Sequence, residues 1–410
     1  MTLFVGTIFG IFLAVLILKK DVDFFNPAIL FAIIILSTYF LACLHLSDLQ
    51  TDYPLWFTLM ILGLIIVFSI GCKFGSVISI SEKNEIKYYS KPTMRLITLL
   101  LWLFIVISFV ITIKTLGAPP ALSGANRADY FISGWGSIVL LQSTLMGLLL
   151  YDHYNENAVG KAFWFYIITI AIIAVLFANK YQILYMFVLV LIARNSYGKK
   201  IKLGTFIIAA VVAVLVFIIL FLLVYENMYG VSIDAIYSGY RMRLSSKMKF
   251  LTQPYLYATY NYENLYNYLI SSNVHHIHGY KTFNAIIDTF HLEGLWSKND
   301  ILYANEWKNM LKVPSLTTGT MFEDFAQDGG IIWMFVGTFV CGIVSSFCFR
   351  KFRVNKNFFW FFAYAASIVA IAFSFFSNSF TSKVTFINII ASALCGVIIK
   401  YTFTIKGRAV

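Results

Sequence analysis

The sequence predicts an all-α polytopic integral membrane protein of about eleven transmembrane helices, with one large extracytoplasmic loop. Two observations predict it. Hydrophobic residues fill 60% of the 410 positions, charged residues only 12%, and mean hydropathy is +0.79, outside the range of an ordinary soluble domain. The apolar runs are about 17 to 24 residues long, enough for helices to cross a hydrocarbon core of about 30 Å. They are too long for barrel strands and lack strict alternation.

Taken in order, the spans are expected near residues 2–18, 24–46, 55–72, 94–117, 135–151, 162–178, 181–193, 203–225, 329–349, 357–376 and 384–403. No basic residue precedes the first, while Lys19 and Lys20 follow it. That is the reverse of a signal peptide, so a retained helix with its N-terminus outside is expected. The connections then alternate. Nineteen Lys and Arg fall on the inner side, four (Lys114, Arg127, Lys180, Lys383) in the short outer connections, and eight in the long loop. Short loops set orientation, so this bias places residues 226–328 outside and the C-terminus in the cytoplasm. The net charge of +12 is therefore a topology signal, and a nucleic-acid partner drops out.

The expected division is an eight-helix membrane region over 1–225, the loop over 226–328 and a three-helix membrane region over 329–410. The five cysteines (Cys43, Cys72, Cys341, Cys348, Cys395) lie in or at the ends of apolar runs. The loop thus has no disulfide framework and must be ordered by packing on the helices. It nevertheless holds four of the six histidines, ten of the nineteen acidic residues and eleven of the twenty-five tyrosines. Chemistry-capable side chains gathered in one extramembrane segment point to a substrate there.

Three of the short outer connections hold candidate groups. Residues 47–54 (SDLQTDYP) hold Asp48 and Asp52, residues 118–134 hold Arg127, and the tight FANKYQ turn holds Lys180. A charge so close to hydrocarbon needs a partner or must reach the interface, so Lys180 either snorkels or binds an anion.

The loop opens with Ile233, Ile236, Tyr237, Tyr240, Leu244, Met248 and Leu251 at helical spacing. At about 100° per residue, Arg243 and Lys247 lie toward one edge of this stripe and Arg241 and Lys249 toward the other. The expectation is an amphipathic helix on the outer leaflet. It is either an anchor or a clamp for a phosphate-bearing lipid, and two arginines favour the clamp because guanidinium grips phosphate in bidentate fashion. Next, PYLYATYNYENLYNYLISS reads as a helix with tyrosines, Tyr257 among them, on more than one face. Such rings form an interfacial belt or stack on sugars. HHIHGYKTFNAI follows. It lacks the H-E-x-x-H pattern and any nearby cysteine, so no metal is expected, and His276 or His278 is a candidate base or donor. The loop closes with PSLTTGTMFEDFAQDGG, where Glu323, Asp324 and Asp328 are either helix-start acids or candidate bases.

There is no Walker A sequence, Gly134-Trp135-Gly136 lacks the third glycine of a dinucleotide fingerprint, and no G-x-S-x-G elbow occurs. No cofactor is expected, and any donor must arrive already activated on the outside.

The span plan with a large outer loop in the C-terminal half resembles the oligosaccharide repeat unit polymerases, the Wzy-type O-antigen and capsule polymerases of bacteria. So does the loop's exit: Pro314-Ser315, the threonines of 317–320, Phe322-Glu323-Asp324-Phe325, then Asp328-Gly329-Gly330. Gly329 directly follows Asp328, where family members often carry an aromatic residue. The resemblance implies a glycosyltransferase of the bacterial cytoplasmic membrane that serves polysaccharide biosynthesis for lipopolysaccharide or capsule in the cell envelope. Its substrate would be an undecaprenyl-pyrophosphate-linked oligosaccharide, with membrane lipid, a flippase and a chain-length regulator as partners. The growing chain leaves its lipid and joins the next lipid-linked unit. Outer-loop arginines serve this family, which carries over to Arg127, Arg241 and Arg243.

The residues accommodate such chemistry. An acceptor hydroxyl attacks an anomeric carbon as lipid pyrophosphate departs, and guanidinium can hold the developing charge without a metal. His276, His278, Asp324 or Asp328 could take the proton, and direct attack would invert the centre. Lys247 and Lys180 would join the arginines around the anion, with Tyr240 and Tyr257 against the glycan. An O-antigen ligase shares this plan and differs in acceptor. A polyprenyl-phosphate-sugar glycosyltransferase would use early acids such as Asp48 and Asp52. A transporter would need charges in mid-span, and the spans are clean in their middles.

Overall fold

An apolar segment with no water to satisfy its backbone must pair its N–H and C=O groups internally, and the helix is the local solution. The computed structural model describes residues 1–19, 22–78, 90–124, 130–132, 135–156, 161–271, 274–306, 311–313 and 316–408, excepting the side chains of 156, 161, 223–229, 305, 306 and 401–408. The apolar helices are α1 (Thr2–Leu18), α2 (Pro27–Ala42), α3 (Leu55–Val77), α4 (Lys91–Leu116), then a short α5 (Pro120–Ser123). After these come α6 (Trp135–Val139), α7 (Gln142–Glu156), α8 (Lys161–Leu176), α9 (Lys180–Tyr197) and α10 (Leu203–Tyr229). The long connection contributes α11 (Ile233–Gly239), a 3-10 turn (Ser246–Leu251), α12 (Thr252–Ile270), α13 (Asn284–Phe290) and α14 (Lys298–Glu306). The chain ends with α15 (Met321–Asn355), α16 (Phe358–Ala372) and α17 (Lys383–Arg408). Local signals set several ends. Asn26 accepts from Ala28 N–H before Pro27 opens α2, and Asn179 accepts from Gln182 N–H at the start of α9.

The eleven expected spans all fall on helices, yet length and hydropathy separate them. Among the described residues five helices are long and apolar enough to cross a membrane: Leu55–Val77, Lys91–Ser123, Leu203–Leu222, Met321–Asn355 and Lys383–Lys400. Four apolar helices are shorter, at 10–17 residues. The run at 135–151 is divided between α6 and α7. The run expected from Gly329 instead belongs to a helix that begins at Met321 and breaks at Gly329 and Gly330.

Contacts group the chain into two compact units, along different lines from three consecutive regions. Unit 1 comprises 1–79, 233–350 and 367–386; unit 2 comprises 80–232, 351–366 and 387–410. In unit 1, α3 and α15 approach through glycines. A Cβ at Gly342 would meet Phe68 O at 2.4 Å, and one at Gly71 would meet Phe339 O at 2.3 Å, so only glycine permits this backbone contact. Helix α12 docks on α2, where Thr38 and Tyr262 share a hydrogen bond of 2.8 Å and Tyr39 meets Tyr262 edge-on at 5.2 Å. Tyr255, Tyr260, Tyr262 and Tyr268 are buried. They are packing residues of this unit, which the tyrosine count alone could not tell from a belt.

The continuous amphipathic helix expected over 233–251 does not form. Helix α11 ends at Gly239, Arg241 takes φ +46, and Met242 bridges antiparallel to Ser47. Arg241 O accepts from Asp48 N–H (3.0 Å), and Arg243 N–H donates to Leu46 O (2.8 Å). These bonds to a segment nearly two hundred residues away replace the helical ones, and Gly239 lowers the cost of stopping there. The apolar stripe still finds burial. Tyr237, Tyr240 and Leu244 pack on a cluster of Met242, Tyr255, Leu256, Tyr260 and Leu316.

In unit 2, Asn388 accepts from Thr144 N–H (3.0 Å) and Thr144 Oγ1 (2.7 Å), and donates to Leu140 O (3.0 Å), satisfying the interruption between α6 and α7. Gln182 donates to Ser143 Oγ (2.8 Å).

Candidate functional site

The site forms around the break in α15, within unit 1. Gly330 sits at φ +72, a left-handed conformation natural to glycine, and a Cβ there would stand 3.1 Å from His276 Cε1. The break frees carbonyls that a continuous helix would use. The HHIHGYKT segment takes them: Ile277 N–H donates to Gln327 O (3.0 Å) and His278 N–H to Asp328 O (3.1 Å). Asp328 completes the seam. Its Oδ1 accepts from Lys281 N–H (2.9 Å), and its Oδ2 accepts from Thr282 N–H (2.7 Å) and the Thr282 hydroxyl (2.5 Å). With both oxygens engaged, Asp328 orients the loop, which leaves it poorly placed as a base.

Asp324 stands one turn earlier on the same face. It is half-buried, and Thr381 Oγ1 donates to its Oδ2 at 3.4 Å. The Asn378 amide faces the same carboxyl without reaching hydrogen-bond geometry, and both of its polar atoms are buried and unpartnered. Met321 N–H donates to Ser374 O (2.8 Å) and so ties the turn carrying Asn378 and Thr381 to the start of α15. Lys281 is the cation acting on Glu323, Asp324 and Asp328 alike. Glu323 is 2% exposed; Gln327 Nε2 donates to its Oε1 (3.4 Å), while Oε2 is unpartnered. Gly319 packs against it, and a Cβ there would displace the Glu323 carboxyl. Tyr268 closes the side facing α12: burial pushes its phenol pKa up, and the Glu323 and Asp328 charges push the same way. It therefore stays a neutral hydroxyl.

The histidines separate. His276 lies over the break, whereas His275 Nε2 (3.7 Å) and His278 Nδ1 (3.3 Å) approach Asp300. His275 also stacks on Tyr303 at 4.1 Å. Burial raises the Asp300 carboxyl pKa, but hydrogen bonding with Ser297 and His278 and the charge of His278 hold it below the usual range. His278 is therefore engaged in docking α14. Among the described residues no three His, Cys, Asp or Glu side chains converge to hold a metal ion.

The remaining expected residues scatter. Arg243 pairs with Asp48, so it does not share a helical edge with Lys247, and Asp52, almost fully exposed, has His45 at 3.6 Å. Arg241 and Lys247 are exposed. Tyr240 packs on the apolar cluster and its carbonyl accepts from Ser47 Oγ (2.6 Å). The Tyr257 ring meets Phe376 at 6.3 Å, in the same turn as Asn378. Lys180 belongs to unit 2, where its ammonium lies 5.0 Å from the Phe221 ring centroid and 5.7 Å from that of Phe217, a cation–π arrangement. Arg127, Pro314 and Ser315 lie outside the described residues. Sequence reasoning missed Lys281, Gln327, Asn378 and Thr381. For the last two, the polar run SNSFTSK between apolar runs was an available signal.

These features define a class: an all-helical chain with several helices long and apolar enough for multi-pass membrane insertion, and a polar site at a broken apolar helix. No family model, no curated protein and no solved structure matches the chain.

Proposed function

We propose that the chain is a glycosyltransferase that polymerises undecaprenyl-pyrophosphate-linked oligosaccharide repeat units into O-antigen or capsular polysaccharide at the outer face of a bacterial cytoplasmic membrane. One observation carries the reading. A half-buried carboxylate, Asp324, stands beside a cation, Lys281, and an unpartnered amide, Asn378, at the break of a membrane-length apolar helix. A lipid-linked donor presents its reacting carbon near the membrane surface, which suits a site at the end of such a helix. The exposed Arg241 and Lys247 suit a departing pyrophosphate, and Asp324 suits the acceptor hydroxyl. The acceptor oxygen bonds to the anomeric carbon as the bond to pyrophosphate breaks with its electron pair. The hydroxyl proton passes to Asp324. No step calls for a metal, so activity should survive chelation.

The deciding experiment is the lipid-linked glycan profile of cells lacking the protein. Accumulation of single repeat units supports polymerisation. Full-length polymer that remains on its lipid would instead make the chain a ligase. A reporter fused near Asn299 and active only in the cytoplasm would sink both.

A further inference from the structure

We propose that Glu323, Asp324, Gln327 and Asn378, with Tyr268 at their edge, form a subsite for an uncharged, hydroxyl-bearing sugar ring. Only the identification of that sugar as the acceptor rests on the glycosyl-transfer reading.

Several buried polar atoms here lack partners. Glu323 (2% exposed), Gln327 (3%) and Asn378 (7%) are each more than nine-tenths buried. Yet Glu323 Oε2, Gln327 Oε1, both polar atoms of Asn378 and the Tyr268 hydroxyl make no hydrogen bond. Buried polar groups are ordinarily paired, because each one left bare forfeits its hydration. These five atoms also belong together: Gln327 bonds Glu323, Asn378 faces Asp324, and the charges of Glu323 and Asp328 act on Tyr268. Something that hydrogen-bonds belongs among them.

The inventory says what. Two of the open atoms are amide oxygens and only accept; the Glu323 oxygen accepts when ionised and can donate when protonated, the one NH2 only donates, and the phenol does either. A ligand that fills the set must bring donors as well as acceptors. A sugar hydroxyl supplies one donor and two acceptor positions. The carboxylate of a sugar acid and a fully ionised phosphate supply acceptors only, and they would face Asp324, Asp328 and the Glu323 carboxyl against the single charge of Lys281. The subsite therefore selects against the anion that Arg241 and Lys247 would attract, which keeps the two ends of a lipid-linked substrate apart. If the sugar is the acceptor, its reacting hydroxyl is the one beside Asp324, the most open carboxylate of the three.

The test uses the purified full chain. A water-soluble carbodiimide with an amine nucleophile labels accessible carboxyls, and mass spectrometry follows the label on Asp324. Glucose, galactose, mannose and N-acetylglucosamine are compared with glucuronate, galacturonate and inorganic pyrophosphate. At least one neutral sugar should slow labelling of Asp324, while the three anions leave it unchanged. Asn378→Ala should weaken that protection roughly 3- to 10-fold, the value of one or two hydrogen bonds. Gln327→Met keeps the side-chain volume and should do the same should Asn378→Ala fail to fold. Equal protection by the sugar acids, protection by none of the neutral sugars, or protection unchanged in the folded variants would overturn the subsite and leave only hydrated polar atoms. Normal polymer in cells lacking the protein, with sugar protection intact, would overturn the polymerase reading and leave the subsite standing.

Discussion

Replacing Asp328 separates a positioning carboxylate from a proton-accepting one. Its side chain receives two backbone N–H groups, from Lys281 and Thr282, and the Thr282 hydroxyl. Hydrogen bonds to a charged group contribute about 1.5–3 kcal/mol each. The hydroxyl can turn toward another acceptor, but the two N–H groups cannot, so Asp328→Ala should cost the 281–282 segment about 3 kcal/mol. That corresponds to about 100-fold faster exchange of those two amides if they open locally. Asp328→Asn retains one acceptor oxygen and should lose about half as much, or about 10-fold. Native-state hydrogen exchange on the purified full chain reads both numbers. Glycan polymerisation measured on the same variants should fall in step with protection. Unchanged exchange in Asp328→Ala would refute the clamp. Abolished polymerisation in Asp328→Asn with protection intact would return Asp328 to the role of base.

Four further outcomes follow from the geometry. Arg241→Ala should shorten glycan chains by removing a pyrophosphate contact, at about 100- to 1,000-fold in rate, and Arg241→Lys should remain impaired if the bidentate fork matters; normal chain length at normal protein level would discard the contact. Arg243→Ala should be milder and change stability by less than about 1 kcal/mol, because its pair with Asp48 is half exposed on both sides. Gly342→Leu should destabilise unit 1 by about 1–3 kcal/mol or more, since its Cβ would meet the Phe68 carbonyl. Melting of the purified chain checks this, with Gly10→Ala as a control that should not destabilise, as nothing lies within 4 Å of that Cβ and alanine is the better helix former. Asp300 has a folded pKa below its usual value, so its stabilising contribution is complete above the ordinary aspartate value of about 3.9 and is lost as pH falls through the lower folded one. Exchange at α14 should therefore rise on acidification below about pH 4, and Asp300→Asn should flatten that rise.

The helices were legible in the sequence because each depends on its own residues. An apolar run closes its hydrogen bonds within itself, so run length announced elements with little reference to the rest of the chain. Part of the site was legible for the same reason. HHIHGYKT and the FEDFAQDGG exit are dense in titratable side chains, and the structure does join those two segments at the break in α15. The roles inside them were not legible. Asp324 and Asp328 lie four residues apart on one helix face, yet one is half-open and the other is consumed by Thr282, 46 residues away. The stripe over 233–251 kept helical periodicity throughout, with only Gly239 against it. It breaks because the strand-like seam at Ser47 and Met242, with Arg243 on Asp48 across 195 residues, supplies hydrogen bonds that no periodicity encodes. Asn378 entered the site through the turn that Ser374 pins to Met321. Local hydrophobicity determined which segments are helices; the satisfaction of polar groups between distant segments decided which side chains meet, and only the tertiary structure holds that information.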